Sequence, residues 1–422
     1  MRLWAKHALV SGALAATLGC PRGIPSGAPP APATEPELRV GLAMGAPYAS
    51  IGGAESGELF ISEAASGLPV GSIPAGVRWI AVPDSADSSR LRLVRPDSSR
   101  TQPLRGIAVV NVTENRFVVA NGRRYRGRIH ITSARGGLTV VNRLGVESYL
   151  AGVVGPEIGL RRPDELAAVL AQAVVSRSFA IGNQGRWEAF GFDAYADTRD
   201  QVYLGVAAET NQAWDAVRRT AGQVVRYHGD VIDAYFHSTC GFSTAGVEEA
   251  FATARTRPYL RPVSDESSEG HYYCDISPRF RWRDEWDASK LRAILSRTLP
   301  AVTPLSGDGL QRITDVTVSR TTKSGRVGEL RIVFERGDVR IPGPDVRSVL
   351  RPEADRMLQS AAFQLTVTRT HGELTRLIAA GAGSGHGVGM CQWGAIGRAR
   401  AGQDYRAIVT TYFPGTTIEK LY

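Results

Sequence analysis

The chain has 422 residues, 43% hydrophobic and 22% charged, with a formal net charge of +9. That length can bury a large core and suggests two or three domains, and no apolar run is long enough for a mature membrane span. Arginines supply most of the charge but are scattered, with no basic stripe interleaved with aromatics. Nucleic acid is therefore excluded as the expected partner, and an anionic polymer outside the cytoplasm fits better.

The N-terminus reads as an export signal. Arg2 and Lys6 form a positive segment, and Ala8 to Gly19 a small-residue apolar stretch too short to be a spanning helix. It ends in Thr17-Leu18-Gly19-Cys20, similar to a lipoprotein cleavage box, with Thr17 where a leucine is usual. Residues 1–20 are thus a leader, and the expected location is exported: periplasmic or cell-envelope. A lipid on Cys20 would anchor the protein, though one acyl chain alone holds only weakly. Residues 21–36, rich in proline, alanine and glycine, form a semi-extended linker.

From 37 to 143 the pattern is β-rich. Leu38-Arg-Val-Gly-Leu, Trp79-Ile-Ala-Val, Ile107-Ala-Val-Val, Phe117-Val-Val and Leu138-Thr-Val-Val alternate between Gly, Asn and Ser turns. The core is expected over 144–422. Pro163 to Asn183 predicts a helix, with Pro163 in its first turn, Asp164 and Glu165 complementing the dipole, and an apolar stripe of Leu166, Val169, Leu170 and Ala173. Arg177 falls on that stripe. A second helix is expected from Asn211 to Ala221, stopped by Gly222. A hairpin follows: Gln223 to Tyr227, a Gly229-Asp230 turn, then Val231 to His237. Residues 264 to about 310 read as a polar, irregular insertion. Strands return at Ile313-Thr-Asp-Val-Thr-Val and Glu329-Leu-Arg-Ile-Val-Phe. A glycine-rich loop, two short helices and a last strand, Thr417 to Leu421, close the chain. The expected class is α+β: a β-rich N-terminal region and a mixed α/β core with a substrate cleft.

Three segments carry candidate chemistry. Glu157 follows an apolar run and a Gly-Pro bend, flanked by Val153, Val154 and Ile158. Desolvation there would raise its carboxyl pKa, as a general acid near neutral pH requires; the alternative is a surface turn glutamate. Arg177, on a buried stripe, must snorkel or find a carboxylate, with Glu157, Asp197 and Asp200 as candidates in sequence. The glycine-dense run from Gly381 to Gly394 holds His386, poised as a proton carrier, a metal ligand or part of a structural loop. No Gly-Lys-Ser/Thr follows, so it is not a phosphate loop. Of the four cysteines, Cys20, Cys240, Cys274 and Cys391, the natural disulfide in an oxidising compartment is Cys240–Cys274. A zinc site drawn from His237, Cys240, Cys274, His386 and Cys391, with Cys240, His237 and His386 foremost, is a second option, although no Cys-x-x-Cys spacing supports it.

Together these segments resemble the stage II sporulation protein D (SpoIID)/LytB family. The matching runs are Val146-Glu-Ser-Tyr-Leu-Ala-Gly-Val-Val-Gly-Pro-Glu157-Ile, Ala171-Gln-Ala-Val-Val-Ser-Arg177-Ser-Phe-Ala and Asp197-Thr-Arg-Asp-Gln-Val-Tyr203-Leu-Gly. Ala234-Tyr-Phe-His-Ser-Thr-Cys-Gly241 and Gly385-His-Gly-Val-Gly-Met-Cys-Gln-Trp-Gly394 complete the set, in the family's order. The resemblance implies a peptidoglycan lytic transglycosylase that cleaves MurNAc–GlcNAc linkages of stem-peptide-free glycan strands. Its general acid/base would be Glu157, followed here by Ile158 where the family has methionine. The alternative it implies is a non-catalytic enhancer of a cell-wall amidase. On either reading the partner is the glycan strand, with Arg177, Asp197, Gln201, Tyr203, His386 and Gln392 as substrate contacts and no resident metal. One carboxyl suffices for a transglycosylase, whereas a glycoside hydrolase needs two. Arg161 or Arg177 is expected to meet the lactyl carboxylate that peptide removal bares. The chain departs from the family pattern at Gly241-Phe-Ser-Thr244, where relatives often read Gly-Gly-His/Lys-Thr.

Overall fold

The structure is a computed structural model that describes residues 34–112, 117–303 and 312–422. The leader, Cys20 and nearly all of the linker lie outside the described residues. The β alternation folds into two sheets that share one core. One has seven strands in the order Ala194–Tyr195, Glu37–Ala46, Gly137–Gly145, Arg128–Ala134, Ile107–Asn111, Leu59–Glu63 and Pro69–Ile73. The other has five: Leu91–Val94, Arg78–Pro83, Ala49–Gly52, Val118–Ala120 and Arg123–Tyr125. Val40, Ile129, Ile131 and Val140 of the first and Ile51, Trp79 and Ala81 of the second are buried in the same cluster. This core does not stop at the end of the β-rich segment. It continues through Val146, Tyr149, Leu150 and Val153 into the helices, so sheet and helix layers are one packed body.

Helix α1, Val146–Ile158, rises directly from the strand Gly137–Gly145. The sequence reading placed a bend here and the next helix as the first. In fact α1 continues through Pro156 to Ile158; the proline removes one N–H, the one that would reach the Gly152 carbonyl, only two residues before the helix ends. Gly152 and Gly155 let α1 approach its neighbour closely: a Cβ on Gly152 would lie 2.7 Å from the Tyr203 ring, and one on Gly155 2.7 Å from the Ala208 carbonyl. Helix α2, Leu166–Gly182, follows a 3-10 turn at Pro163–Glu165. The expected stripe understates it. Every residue from Ala168 to Ala180 is buried, polar Gln172, Ser176, Arg177 and Ser178 included, as befits a helix surrounded by other elements. Although the sequence reading found no apolar run of spanning length, the stretch Pro163–Gly182 is long and apolar enough to cross a membrane; 78% of its most apolar window is buried inside the protein.

Helix α3, Asn211–Arg219, is capped by Thr210, whose hydroxyl accepts the Ala213 N–H, and the chain turns at Gly222 with φ +72°. The strand Gln223–Tyr227 then pairs with Asp230–Val231 on one side and with Thr417–Lys420 on the other. His228 and Gly229 occupy the turn with positive φ. The return strand is shorter than the sequence suggests. Phe236–His237 leaves the hairpin and pairs in parallel with Met390–Cys391, which draws two distant motifs together. Helix α4, Val247–Ala250, is a single turn.

The segment read as irregular, 264 to about 310, contains the strand Arg281–Asp287 and helix α5, Ala288–Thr298. These belong to an inserted lobe with its own core. Its two three-stranded sheets are Arg281–Asp287, Glu373–Ala382 and Phe363–Thr370, and Ile313–Thr321, Val327–Phe334 and Gly337–Pro342. Helix α5 and helix α6, Gly343–Val349, pack with them around Trp286, Leu330, Ile332 and Leu377. The chain returns from the lobe along a glycine-rich loop into helix α7, Gln392–Arg400, and helix α8, Tyr405–Tyr412. The architecture is α+β, as expected from the sequence.

Candidate active site

Glu157 lies in the last turn of α1 and lines a cleft of about 240 Å³. Its Oε1 accepts the Val202 N–H at 2.9 Å. Burial pushes its pKa above the ordinary carboxyl value; the Val202 N–H and the Gln392 amide pull the other way without cancelling it. Among the described residues no cation forms an ion pair with it. Glu147, Glu165 and Glu209, by contrast, are each held by an arginine.

The aromatic and histidine side of the cleft is built from α2, the segment 235–251 and the glycine loop. Helix α2 contributes Phe179, the strand region Tyr235–His237 and nearby Phe251 contribute an aromatic wall, and the glycine loop contributes Gly385 and His386. Phe179 meets Tyr235 edge-on with ring centroids 5.6 Å apart, and Phe251 sits 5.3 Å from the His386 ring. Only glycine brings this loop so close to the strand beside it. Gly389 has φ +71°, and a Cβ there would collide with the Tyr235 carbonyl.

Both histidines are neutral. Burial holds His237 and His386 down to about 3, well below the ordinary imidazole value. Nδ1 of His386 accepts the Val388 N–H at 3.1 Å, which leaves the ring proton on Nε2 as a donor. Nδ1 of His237 lies 3.1 Å from the Val388 carbonyl and must be its donor, so Nε2 is an acceptor, buried and without a partner. Neither histidine is a proton carrier near neutral pH.

A second carboxylate, Asp200, lines the cleft but is committed. It accepts from Trp187 Nε1 at 2.8 Å, the Tyr195 N–H at 2.8 Å and Arg186 at 3.3 Å. Arg186 and Arg199 are the two guanidiniums that line the cleft. Arg199 pairs with the half-exposed Asp197 at 2.6 Å and stacks 3.4 Å over the Tyr195 ring. It also borders a neighbouring cavity of about 370 Å³, lined by Asp197, Tyr203, Tyr195 and Phe192.

Several residues expected at the site lie elsewhere. Arg177 is fully buried outside the cleft and makes a bidentate pair with Glu147, at 3.0 and 2.6 Å. Its remaining donors reach the Val217 and Gln223 carbonyls and the Thr220 hydroxyl. None of the three acids near in sequence holds it, and none of its donors remains for substrate. Gln201 is buried, accepting from Tyr149 at 3.1 Å. Tyr203 packs on Gly152 and donates to Asn142 at 2.8 Å. Gln392 supports the site rather than facing it: its amide donates to the Glu157 carbonyl at 2.9 Å and to Gln172 at 3.3 Å. Arg161 stacks on Trp393 at 5.3 Å and is not among the cleft residues. Sequence reasoning passed over Arg186 and Arg199 and took Asp200 only as a possible partner of Arg177, although Arg199 and Asp200 stand inside one of the quoted motifs.

The cysteines also differ from expectation. Cys240, Cys274 and Cys391 are all free and buried. The Cys240 and Cys274 sulfurs lie 3.6 Å apart, adjacent but not bonded. Neither His237 nor His386 joins Cys240 in a metal-ligand group among the described residues. Asp265, Cys274 and Cys391 do.

A family model described as stage II sporulation protein matches residues 134–227, which spans α1, α2 and α3. A domain of unknown function matches residues 267–389, the inserted lobe and glycine loop. An uncharacterised protein of Brachyspira hyodysenteriae is 32% identical over 311 residues, 74% of this chain and 76% of that protein. Stage II sporulation protein D of Bacillus subtilis is 28% identical over 306 residues, 66% of this chain and 76% of that protein. The amidase enhancer of Bacillus subtilis is 26% identical over 276 residues, 60% of this chain but 38% of that protein. The chain belongs to the stage II sporulation protein D family.

Proposed function

We propose that this protein acts on peptidoglycan outside the cytoplasm, as a lytic transglycosylase with Glu157 as its general acid and base. The observation that carries the reading is a half-buried carboxyl with a raised pKa and no cation beside it, set in an aromatic cleft. Protonated Glu157 gives its proton to the glycosidic oxygen as the C1–O bond of N-acetylmuramic acid breaks. The carboxylate then takes the proton of the same sugar's C6 hydroxyl while O6 bonds to C1. The product is a 1,6-anhydro end, and no water is consumed. Asp200 does not serve as a second catalytic carboxyl, since three donors hold it. The aromatic wall suits the apolar faces of sugar rings. Arg186 and Arg199, rather than Arg161 or Arg177, are the cations placed to meet the lactyl carboxylate of strands stripped of stem peptides.

The decisive measurement is product analysis on peptide-free glycan strands. Anhydromuramic ends that vanish in Glu157→Gln support the reading. No cleavage by the parent, together with stimulation of an added cell-wall amidase, would transfer the function to the second reading, which one relative's name favours.

A further inference from the structure

We propose that Cys240, Cys274, Cys391 and Asp265 form a closed tetrahedral site for a thiophilic divalent cation, zinc above all, on the far side of the cleft wall. This goes beyond the reaction proposed above and does not rest on it.

The four ligand atoms, three sulfurs and one carboxylate oxygen, lie within 4.8 Å of one another, and all four residues are buried. The Cys240–Cys274 separation of 3.6 Å is far from the roughly 2.05 Å of a disulfide. It is close to the edge of a tetrahedron with metal–sulfur bonds of about 2.3 Å, whose sulfurs stand roughly 3.8 Å apart. A donor set of thiolates and one carboxylate in that geometry selects zinc over the harder cations.

The surroundings are those of a thiolate centre. Sγ of Cys391 accepts two backbone N–H groups, from Cys240 and from Gly394 in the first turn of α7, each at 3.2 Å. Amide donors aimed at one sulfur favour its anionic form. Asp265 is oriented as a metal-ligating carboxylate must be: Oδ2 accepts the Cys274 N–H at 3.0 Å, and Oδ1 accepts from Tyr412 at 2.6 Å and Arg398 at 3.4 Å. Gly394 completes the packing, because a Cβ there would lie 2.6 Å from Asp265 Oδ1 and overlap the Tyr412 hydroxyl.

Charge supplies an independent argument. Binding would release three thiol protons and leave one divalent cation with three thiolates and one carboxylate, a net charge of −2. Two buried arginines face that charge. Arg398 touches Asp265 directly. Arg326 is only 4% exposed and donates to the Cys240 and Ser243 carbonyls and the Ser324 hydroxyl. Among the described residues no carboxylate forms an ion pair with it, and the groups facing it are the three thiols and Glu249. A guanidinium buried without an ion-pair partner is unfavourable unless an anion lies nearby. The thiolate centre is that anion.

The position gives the cation a role. Cys391 stands opposite His237 in the parallel strand pair, and its neighbour Gln392 donates to the Glu157 carbonyl. A metal bonded to Cys240 and Cys391 would hold the histidine wall and the α7 entrance in register.

The test is metal analysis of the full-length chain, purified without chelator. The expected result is one zinc per chain, released as the three thiols are modified. Cobalt in its place should show tetrahedral ligand-field bands and sulfur-to-metal charge transfer, weakened in Cys274→Ser. Tyr412→Phe, which removes only a partner of Asp265, should lower zinc affinity about 10- to 100-fold. If a substitution fails to fold, the parent's metal count and cobalt spectrum still decide. A zinc-exposed parent in which Cys240, Cys274 and Cys391 all titrate as free thiols and no metal is held would overturn the proposal. So would one with a mapped Cys240–Cys274 disulfide and a free Cys391.

Discussion

Arg177 provides the sharpest test of how this structure is held together. Replacing it with methionine keeps the aliphatic stem and removes the guanidinium. Six contacts within 3.5 Å would be lost: two to Glu147 and one each to Ala173, Val217, Thr220 and Gln223. Glu147 would keep the Gly222 N–H and the Tyr422 hydroxyl, but no cation. The Val217 carbonyl, in the last turn of α3, would lose the donor that caps it. Removing one partner of a buried ion pair typically costs about 3–5 kcal/mol, and the orphaned carbonyls place this site at the upper end. Urea unfolding of parent and Arg177→Met should show that loss, with the m-value unchanged. The double variant Arg177→Met/Glu147→Gln should recover part of it. A loss under about 1 kcal/mol would refute the structural role. Unchanged stability combined with a selective loss of preference for peptide-free strands would return Arg177 to the substrate.

Three other perturbations separate chemistry from scaffolding. A folded-state pKa raised above the unfolded value means that the native state binds this proton more tightly. Glu157 therefore favours folding most below about pH 4.3, and that contribution is lost as pH rises through its folded pKa. Glu157→Gln should be inactive yet more stable than the parent at pH 8, with the gap narrowing toward pH 4 in parallel unfolding titrations. Asp200→Asn should weaken charged hydrogen bonds that hold the loop after Ala194–Tyr195, at a cost of about 1.5–3 kcal/mol, and raise KM for glycan more than it lowers kcat. Gly394→Ala should destabilise by about 1–3 kcal/mol or more, because α7 cannot retreat from Asp265 and Tyr412 without moving Gln392; calorimetric Tm measures it.

Much of the fold is legible in the sequence where one physical signal dominates. Period-two alternation marks the strands at Leu38, Trp79, Ile107 and Leu138 because each buries one face in the shared sheet core. Thr210 and Gly222 mark α3 by cap chemistry. Other features are hidden for identifiable reasons. The Gly155-Pro156 pair signals a bend, but α1 runs through it to Ile158, with Gly152 against Tyr203 and Gly155 against the Ala208 carbonyl in a tight packing contact. Arg281-Trp-Arg-Asp-Glu-Trp-Asp reads as polar, yet it alternates around two buried tryptophans and is a strand. The site divides in the same way. Glu157 and His386 are visible as motif residues that do share a cleft. Arg177 is visible as an arginine out of place, but its partner is Glu147, thirty residues away, on a helix the sequence conceals. Phe179, Tyr235 and Phe251 look like core aromatics. Only tertiary contact between α2, the Phe236–His237 strand and the glycine loop makes them a wall.

That contrast bears on why position 157 suits chemistry. Carboxyls held within this fold are anchored by arginine: Glu147 by Arg177, Glu165 by Arg400, Asp193 by Arg39, Asp200 by Arg186 and Glu209 by Arg126. Glu249, without an arginine, instead joins α4 to the inserted lobe through the Thr322 and Ser324 hydroxyls. In each case the negative charge is used to hold segments together. Glu157 is built the opposite way. One backbone N–H and a neighbouring amide orient it, no cation stabilises its charge, and burial favours its protonated form. A carboxyl that the fold needs as an anion is a poor proton donor; one that the fold prefers protonated can release its proton to a substrate and recover it, with the α1–α7 framework supplying the rigidity that its own charge does not.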